Sequence, residues 1–180
     1  NIGGYIRFKG KIDKEKFFSV INSAPVVFDV FKMRFDLNNL NPIGYIDKSY
    51  HRLEVAEMDL SENLNPAAYA EKWMQDRFNT PFNIQRDELL FEHILIKISK
   101  DEHWFFHRYH HLITDGYGFA NWVNYIALKY KSLISGEAFD YQSLPYEEEA
   151  VTASEYIGSE RYESDGNYWK RKIAEKPVKL

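Results

Sequence analysis

The residues best suited to chemistry stand in one short stretch, His110-His111-Leu112-Ile113-Thr114-Asp115-Gly116. It holds two imidazoles and a carboxylate. A histidine titrates near neutral pH and can take or give a proton as a general base or acid. A nearby carboxylate can orient a ring nitrogen or fix a turn. A glycine lets the backbone turn and lets another molecule approach closely. Two readings stand side by side. In one, His111 is a catalytic base and Asp115 supports it. In the other, Asp115 caps the helix that follows and Gly116 serves only the turn.

Such groups need a rigid support, and the flanking sequence supplies one. His103 to His111 reads as a strand, and Tyr117 to Ser135 as a helix with Gly136 as its C-cap. The stretch is thus a strand-to-helix turn. Leu89 to Ser99 is the strongest strand, apolar on both faces and so central in its sheet. Leu90, Ile94, Ile96 and Ile98 are assigned to one face. Lys100-Asp101-Glu102 turns it into the His103 strand.

Upstream, Gly4–Gly10 reads as a strand, and Asp13 caps a helix carrying Phe17, Val20, Ile21 and Ala24, which Pro25 stops. Val26 to Phe35, rich in β-branched and aromatic residues, reads as a strand, with shorter strands at Ile43–Ile46 and Arg52–Met58. Asn65-Pro66 starts a helix with Ala70, Trp73, Met74 and Phe78 on one face, ended by Thr80-Pro81-Phe82. Two acidic helices follow near Tyr146–Tyr156 and Glu160–Ala174. The order predicts an α+β fold, helices packed on a mixed, mostly antiparallel sheet.

Alternate strand residues share a face. His103, His107 and His111 then lie with Phe105 and Tyr109, while Trp104, Phe106, Arg108 and His110 face the other way. His103 and His107 read as hydrogen-bonded strand histidines. A metal site from His107, His111 and Asp115 is the competing reading, with zinc or iron as the suitable ions. A strand spaces His107 and His111 by about 13 Å, which opposes shared coordination.

The 180 residues are 44% hydrophobic and 17% aromatic, enough for one domain with a real core. The net charge of −4 and scattered basic residues argue against nucleic-acid binding. No apolar run approaches membrane-spanning length. With no cysteine, disulfides and thiolate chemistry are excluded, and a cytoplasmic setting is expected.

His110 to Gly116 resembles the HHxxxDG signature of condensation domains in nonribosomal peptide synthetases. The related HxxxD motif of CoA-dependent acyltransferases has the same strand–turn–helix setting. Phe31-Lys32-Met33-Arg34-Phe35 resembles the LRTxF ending of a family motif, with Lys32 at the arginine position. The residues Val27, Phe28 and Asp29 depart from the rest of that motif. Pro81-Phe82-Asn83-Ile84 resembles the family's PFDL, and Tyr168-Trp169-Lys170 with Pro177 its YW(K/R) helix and loop. Where the family often has an aromatic residue and then serine after the motif glycine, this chain has Tyr117-Gly118.

The resemblance implies a chloramphenicol acetyltransferase-like two-layer sandwich, with residues 1–180 as the N-terminal lobe of a truncated condensation domain whose second lobe is absent. It implies amide-bond formation between thioesters on carrier proteins, with phosphopantetheine delivered by those partners and no other cofactor or metal bound. His111 would be the catalytic base or positioning group, and Gly116 would offer its N–H to the oxyanion. His110 would help pack the strand. Asp115 would hold the loop through an arginine from outside the motif. An epimerisation domain and a free-standing CoA-dependent acyltransferase are the alternatives.

Overall fold

The structure is a computed structural model that describes residues 1–38, 40–49, 55–84 and 88–174. It is built on two long strands. β5 (Phe91–Ser99) and β6 (Glu102–Tyr109) form a tight antiparallel hairpin, Phe91 opposite Tyr109 and Ser99 opposite Glu102. Here β1 is Ile2–Lys9, β2 Met33–Asp36, β3 Ile43–Ile46 and β4 Ala56–Asp59. β1 flanks β6 antiparallel, and β4 flanks β5 in parallel, giving the order β1-β6-β5-β4. β5 is therefore central, as its two apolar faces require. β2 and β3 pair in a separate two-stranded sheet.

Strand alternation divides the core in two. Leu95, Phe105 and Tyr109 face α1 (Lys14–Asn22) and α4 (Gly116–Ser135), burying Phe17, Ile21, Trp122 and Ile126. Ile94, Ile96, Trp104 and Phe106 face α3 (Pro66–Asn79), burying Ala70 and Met74. Leu90 departs from its assigned face. It precedes β5 and packs with the α1 and α4 cluster, because the alternation holds only within the strand.

The helix ends follow the capping signals. Asp13 accepts from the Lys16 N–H at 3.1 Å, and Asn65 from the Ala68 N–H at 3.3 Å. Gly136 closes α4 in the left-handed conformation at φ 76°, where a side chain would be strained.

The strand expected from Val26 to Phe35 is corrected. Ala24–Val27 forms a short helix, α2, with Pro25 in its first turn, and Asp29–Lys32 a 3-10 turn; only Met33–Asp36 is strand. Proline fits the start of a helix as well as it ends one. The aromatic residues then serve packing rather than pairing. Phe28 and Phe31 lie edge-on against Trp122 of α4, at 5.7 and 5.3 Å. Of the strand expected at Arg52–Met58, residues 52–54 lie outside the described residues, and β4 occupies Ala56–Asp59.

A second compact unit begins at Leu144. It contains α5 (Tyr146–Tyr156) and α6 (Glu160–Ala174), the two helices expected there. Within it the Tyr156 hydroxyl donates to Asp165 at 2.9 Å, and the Ser159 hydroxyl oxygen accepts from the Tyr162 N–H. Tyr168 and Trp169 stand on α6, while Pro177 lies outside the described residues. Among the described residues no helix is long and apolar enough to cross a membrane.

Candidate functional site

β6 ends at Tyr109, two residues short of the expected His111. The His110 N–H still bonds to the Leu90 carbonyl at 2.8 Å, and its carbonyl accepts from Ile113 at 3.1 Å. The chain thus leaves the sheet in a tight turn. His110 is half-buried against Phe82, its Nδ1 accepting from the Leu112 N–H at 3.1 Å. That bond places the proton of the neutral ring on Nε2. Burial, foremost, holds His110 below the ordinary histidine range. Ile113 is buried and anchors the turn from below.

Asp115 is the N-cap of α4. Its Oδ1 accepts from the N–H groups of Tyr117 at 3.0 Å and Gly118 at 2.8 Å. These bonds, the Gly118 bond foremost, hold its carboxyl below the usual carboxylate range, with a smaller contribution from the His111 charge. Among the described residues no arginine or lysine pairs with Asp115. Helix capping holds the loop here. Gly116 opens α4, where the helix itself offers its N–H no acceptor. The space beside its α-carbon is open.

His111 is exposed, and among the described residues its ring has no hydrogen-bond partner. A rigid, capped turn therefore presents a solvent-facing imidazole beside an open glycine. Such a ring can accept a proton from an approaching amine or hydroxyl. Among the described residues no three His, Asp or Glu side chains form a set able to hold a metal ion. His107 is buried and lies in the core on the α4 face, against Phe119.

The reading of His103 and His107 as hydrogen-bonded strand histidines is corrected at Nδ1 of each ring. Each is buried, and each leaves Nδ1 without a partner among the described residues. The β-ladder satisfies their backbone, and the His107 ring meets Phe105, Tyr109 and Phe119 rather than a polar partner. Burial pushes His107 down to about 4.

Sequence reading missed the polar groups that brace the turn. Tyr109 accepts from the Trp122 indole at 2.7 Å and lies 3.0 Å from His93 Nε2. On the other face Arg108 donates to Glu92 at 2.6 Å, and Arg77 to the same carboxylate at 2.8 Å. The Arg108 guanidinium covers the Phe82 ring at 4.3 Å, and that ring borders His110. The available signal was a histidine and a glutamate interrupting an apolar strand.

The Condensation domain family model matches residues 1–180. Enterobactin synthase component F of Escherichia coli O157:H7 is 25% identical over 171 residues, covering 94% of this chain and 13% of that protein. A dimodular nonribosomal peptide synthase of Bacillus subtilis (strain 168) is 25% identical over 178 residues, covering 98% and 7%. The crystal structure of VibH, a nonribosomal peptide synthetase condensation enzyme, is 23% identical with a TM-score of 0.81, covering 96% of this chain and 39% of that one. The fold is thus that of condensation domains, the chloramphenicol acetyltransferase-like α+β fold. The chain spans only a small part of the curated relatives and about two fifths of VibH. With its whole length matched by the family model, this chain belongs to the condensation-domain family.

Proposed function

We propose that residues 1–180 are the N-terminal, motif-bearing lobe of a condensation domain, and that the whole protein forms amide bonds between carrier-bound thioesters. The observation that carries this reading is the exposed His111 on a turn braced from both sides of the sheet. A second lobe would close the site opposite that turn.

In this reading the acceptor amine attacks the donor's thioester carbonyl. The amine's proton goes to His111, and the carrier thiol leaves as the tetrahedral intermediate collapses. General-base help is typically worth about 10²–10⁴-fold. Holding two tethered substrates in register contributes further. The Gly116 N–H, at the positive end of α4, is available to the oxyanion. Asp115 acts through the loop it caps, and His110 through the turn it closes. Carrier domains are the partners, and each brings phosphopantetheine as part of the substrate.

The test is acyl transfer by the gene's full-length product, from a carrier-bound donor to a carrier-bound acceptor, beside its His111→Ala variant. Amide product from the wild type and a loss of about 100-fold or more in the folded variant are expected. Near-normal turnover by the variant would overturn the role of His111. Transfer from CoA thioesters but not from carriers would favour a free-standing acyltransferase. Inversion of a carrier-bound aminoacyl centre without amide formation would favour epimerisation.

A further inference from the structure

The opposite end of β6 from His111 carries a second set of polar groups. The loop from β1 to α1, the loop from β4 to α3 and the β5–β6 hairpin surround a cleft of about 560 Å³. The Gly10 N–H donates to the Asp101 carbonyl at 2.8 Å, which ties the first loop to the hairpin. Lys11, Lys14, Lys97 and Lys100 line the cleft together with Glu62 and His103.

His103 is the informative residue. It is 5% exposed, yet its Nδ1 has no hydrogen-bond partner among the described residues. A buried, unpaired ring nitrogen on a residue that lines an open cleft needs an explanation, and a ligand atom entering beside the ring supplies one. The charges indicate which kind. Lys14 donates to Glu57 at 2.8 Å and Lys97 to Asp59 at 2.7 Å, so these two cations already have counter-ions. Lys11 and Lys100 have no ion-pair partner among the described residues. An ammonium has three donors, so Lys14 and Lys97 can also reach a ligand. The cleft therefore offers several N–H donors around one buried ring, a pattern that suits an anion with many acceptor oxygens.

We propose that this cleft binds a phosphate group, with Lys11 and Lys100 as its charge contacts and the His103 ring as its buried donor. A phosphate monoester is largely dianionic near neutral pH, which matches two unpaired ammonium groups. Burial, foremost, lowers the affinity of His103 for a second proton, with Glu57 and Asp59 opposing and Lys14 and Lys97 assisting. The ring is then neutral and donates from Nδ1 in one tautomer. β6 runs eight residues at about 3.3 Å each from here toward the motif, so the bound phosphate lies far from His111. The proposal is independent of the acyl-transfer reading.

The test is calorimetric titration of the full-length protein with inorganic phosphate, beside the Lys11→Ala/Lys100→Ala double variant. Both lysines are exposed, so the variant keeps the fold. A binding event weakened about 100-fold in the double variant is expected, about tenfold for each charged contact. Identical isotherms would overturn the proposal. His103→Phe keeps an aromatic ring but removes both ring nitrogens, and should weaken the same event about tenfold. Phosphopantetheine and pantetheine provide the second arm. Phosphopantetheine weakened by the double variant more strongly than phosphate points to an organic monoester, and equal weakening to the free ion. Pantetheine, which has no phosphate, should bind wild type and double variant alike, and its weakening by the double variant as large as that of phosphopantetheine would overturn the assignment.

Discussion

The Trp122 indole N–H donates to the Tyr109 hydroxyl at 2.7 Å, joining the last residue of β6 to the second turn of α4. The bond spans the loop that carries His111 and pins it at both ends. Because the hydroxyl oxygen accepts from Trp122, its proton is left for His93 Nε2, 3.0 Å away. All three side chains are buried, and the ring of His93 stacks on Trp122 at 5.6 Å. Burial keeps both partners uncharged, pushing the Tyr109 phenol well up and His93 well down.

Tyr109→Phe should therefore destabilise the chain although only one oxygen is removed. It leaves a buried indole N–H and a buried imidazole nitrogen without a partner, a cost on the order of 3 kcal/mol. Urea unfolding checks the stability. Hydrogen exchange of the His110–Thr114 amides should rise in parallel, and an unchanged exchange rate there would separate the network from the loop.

Stability should fall between neutral and mildly acid pH. His107 titrates at about 4 in the folded chain, and near 6.5 when unfolded. Between those values the unfolded state binds more protons, so stability is full above about 6.5 and declines as the pH drops toward about 4. From neutral pH to about pH 5 the His107 share is on the order of 2 kcal/mol. His107→Leu should flatten the dependence by that amount, measured by urea midpoints across the range.

Asp115→Ala should lower the melting temperature as well as the activity, because two first-turn N–H groups of α4 lose their acceptor. Asp115→Asn, which still caps, should recover most of the melting temperature. The lowered carboxyl of Asp115 adds a sign: its contribution is present above the unfolded value and is lost as the pH falls through the lower folded value. The alanine variant should lack that acid limb.

Gly118 fits tightly against its neighbour. A β-carbon there would meet the Thr114 hydroxyl at 2.7 Å. Gly118→Ala alone should thus gain nothing from alanine's helix preference. Combined with Thr114→Ala it should stabilise α4 by about 1 kcal/mol relative to Thr114→Ala alone. A double-mutant cycle in urea measures the coupling, and additivity of the two changes would show that Thr114 simply rotates away.

The sequence by itself determined the elements whose signals are local. Asp13, Asn65 and Gly136 marked helix ends because caps act within a single turn. The double-sided apolar run of β5 marked the central strand, since burial on both faces leaves no room for polar alternation. The stretch from His110 to Gly116 was legible as a strand-to-helix turn for the same reason, and Asp115 caps α4 as one reading required. Only the tertiary structure decided Val26 to Lys32. Most of those residues have β-forming side chains, but Phe28 and Phe31 pack against Trp122, and the chain forms a short helix and a 3-10 turn on either side of an extended Phe28. It also decided the partners of His93, Glu92 and Arg108, which lie 13 to 16 residues apart or across a helix–sheet interface. No local pattern encodes those distances. The unpaired nitrogens of His103 and His107 belong to the same class, because a strand's alternation tells which face a ring takes and not what waits there.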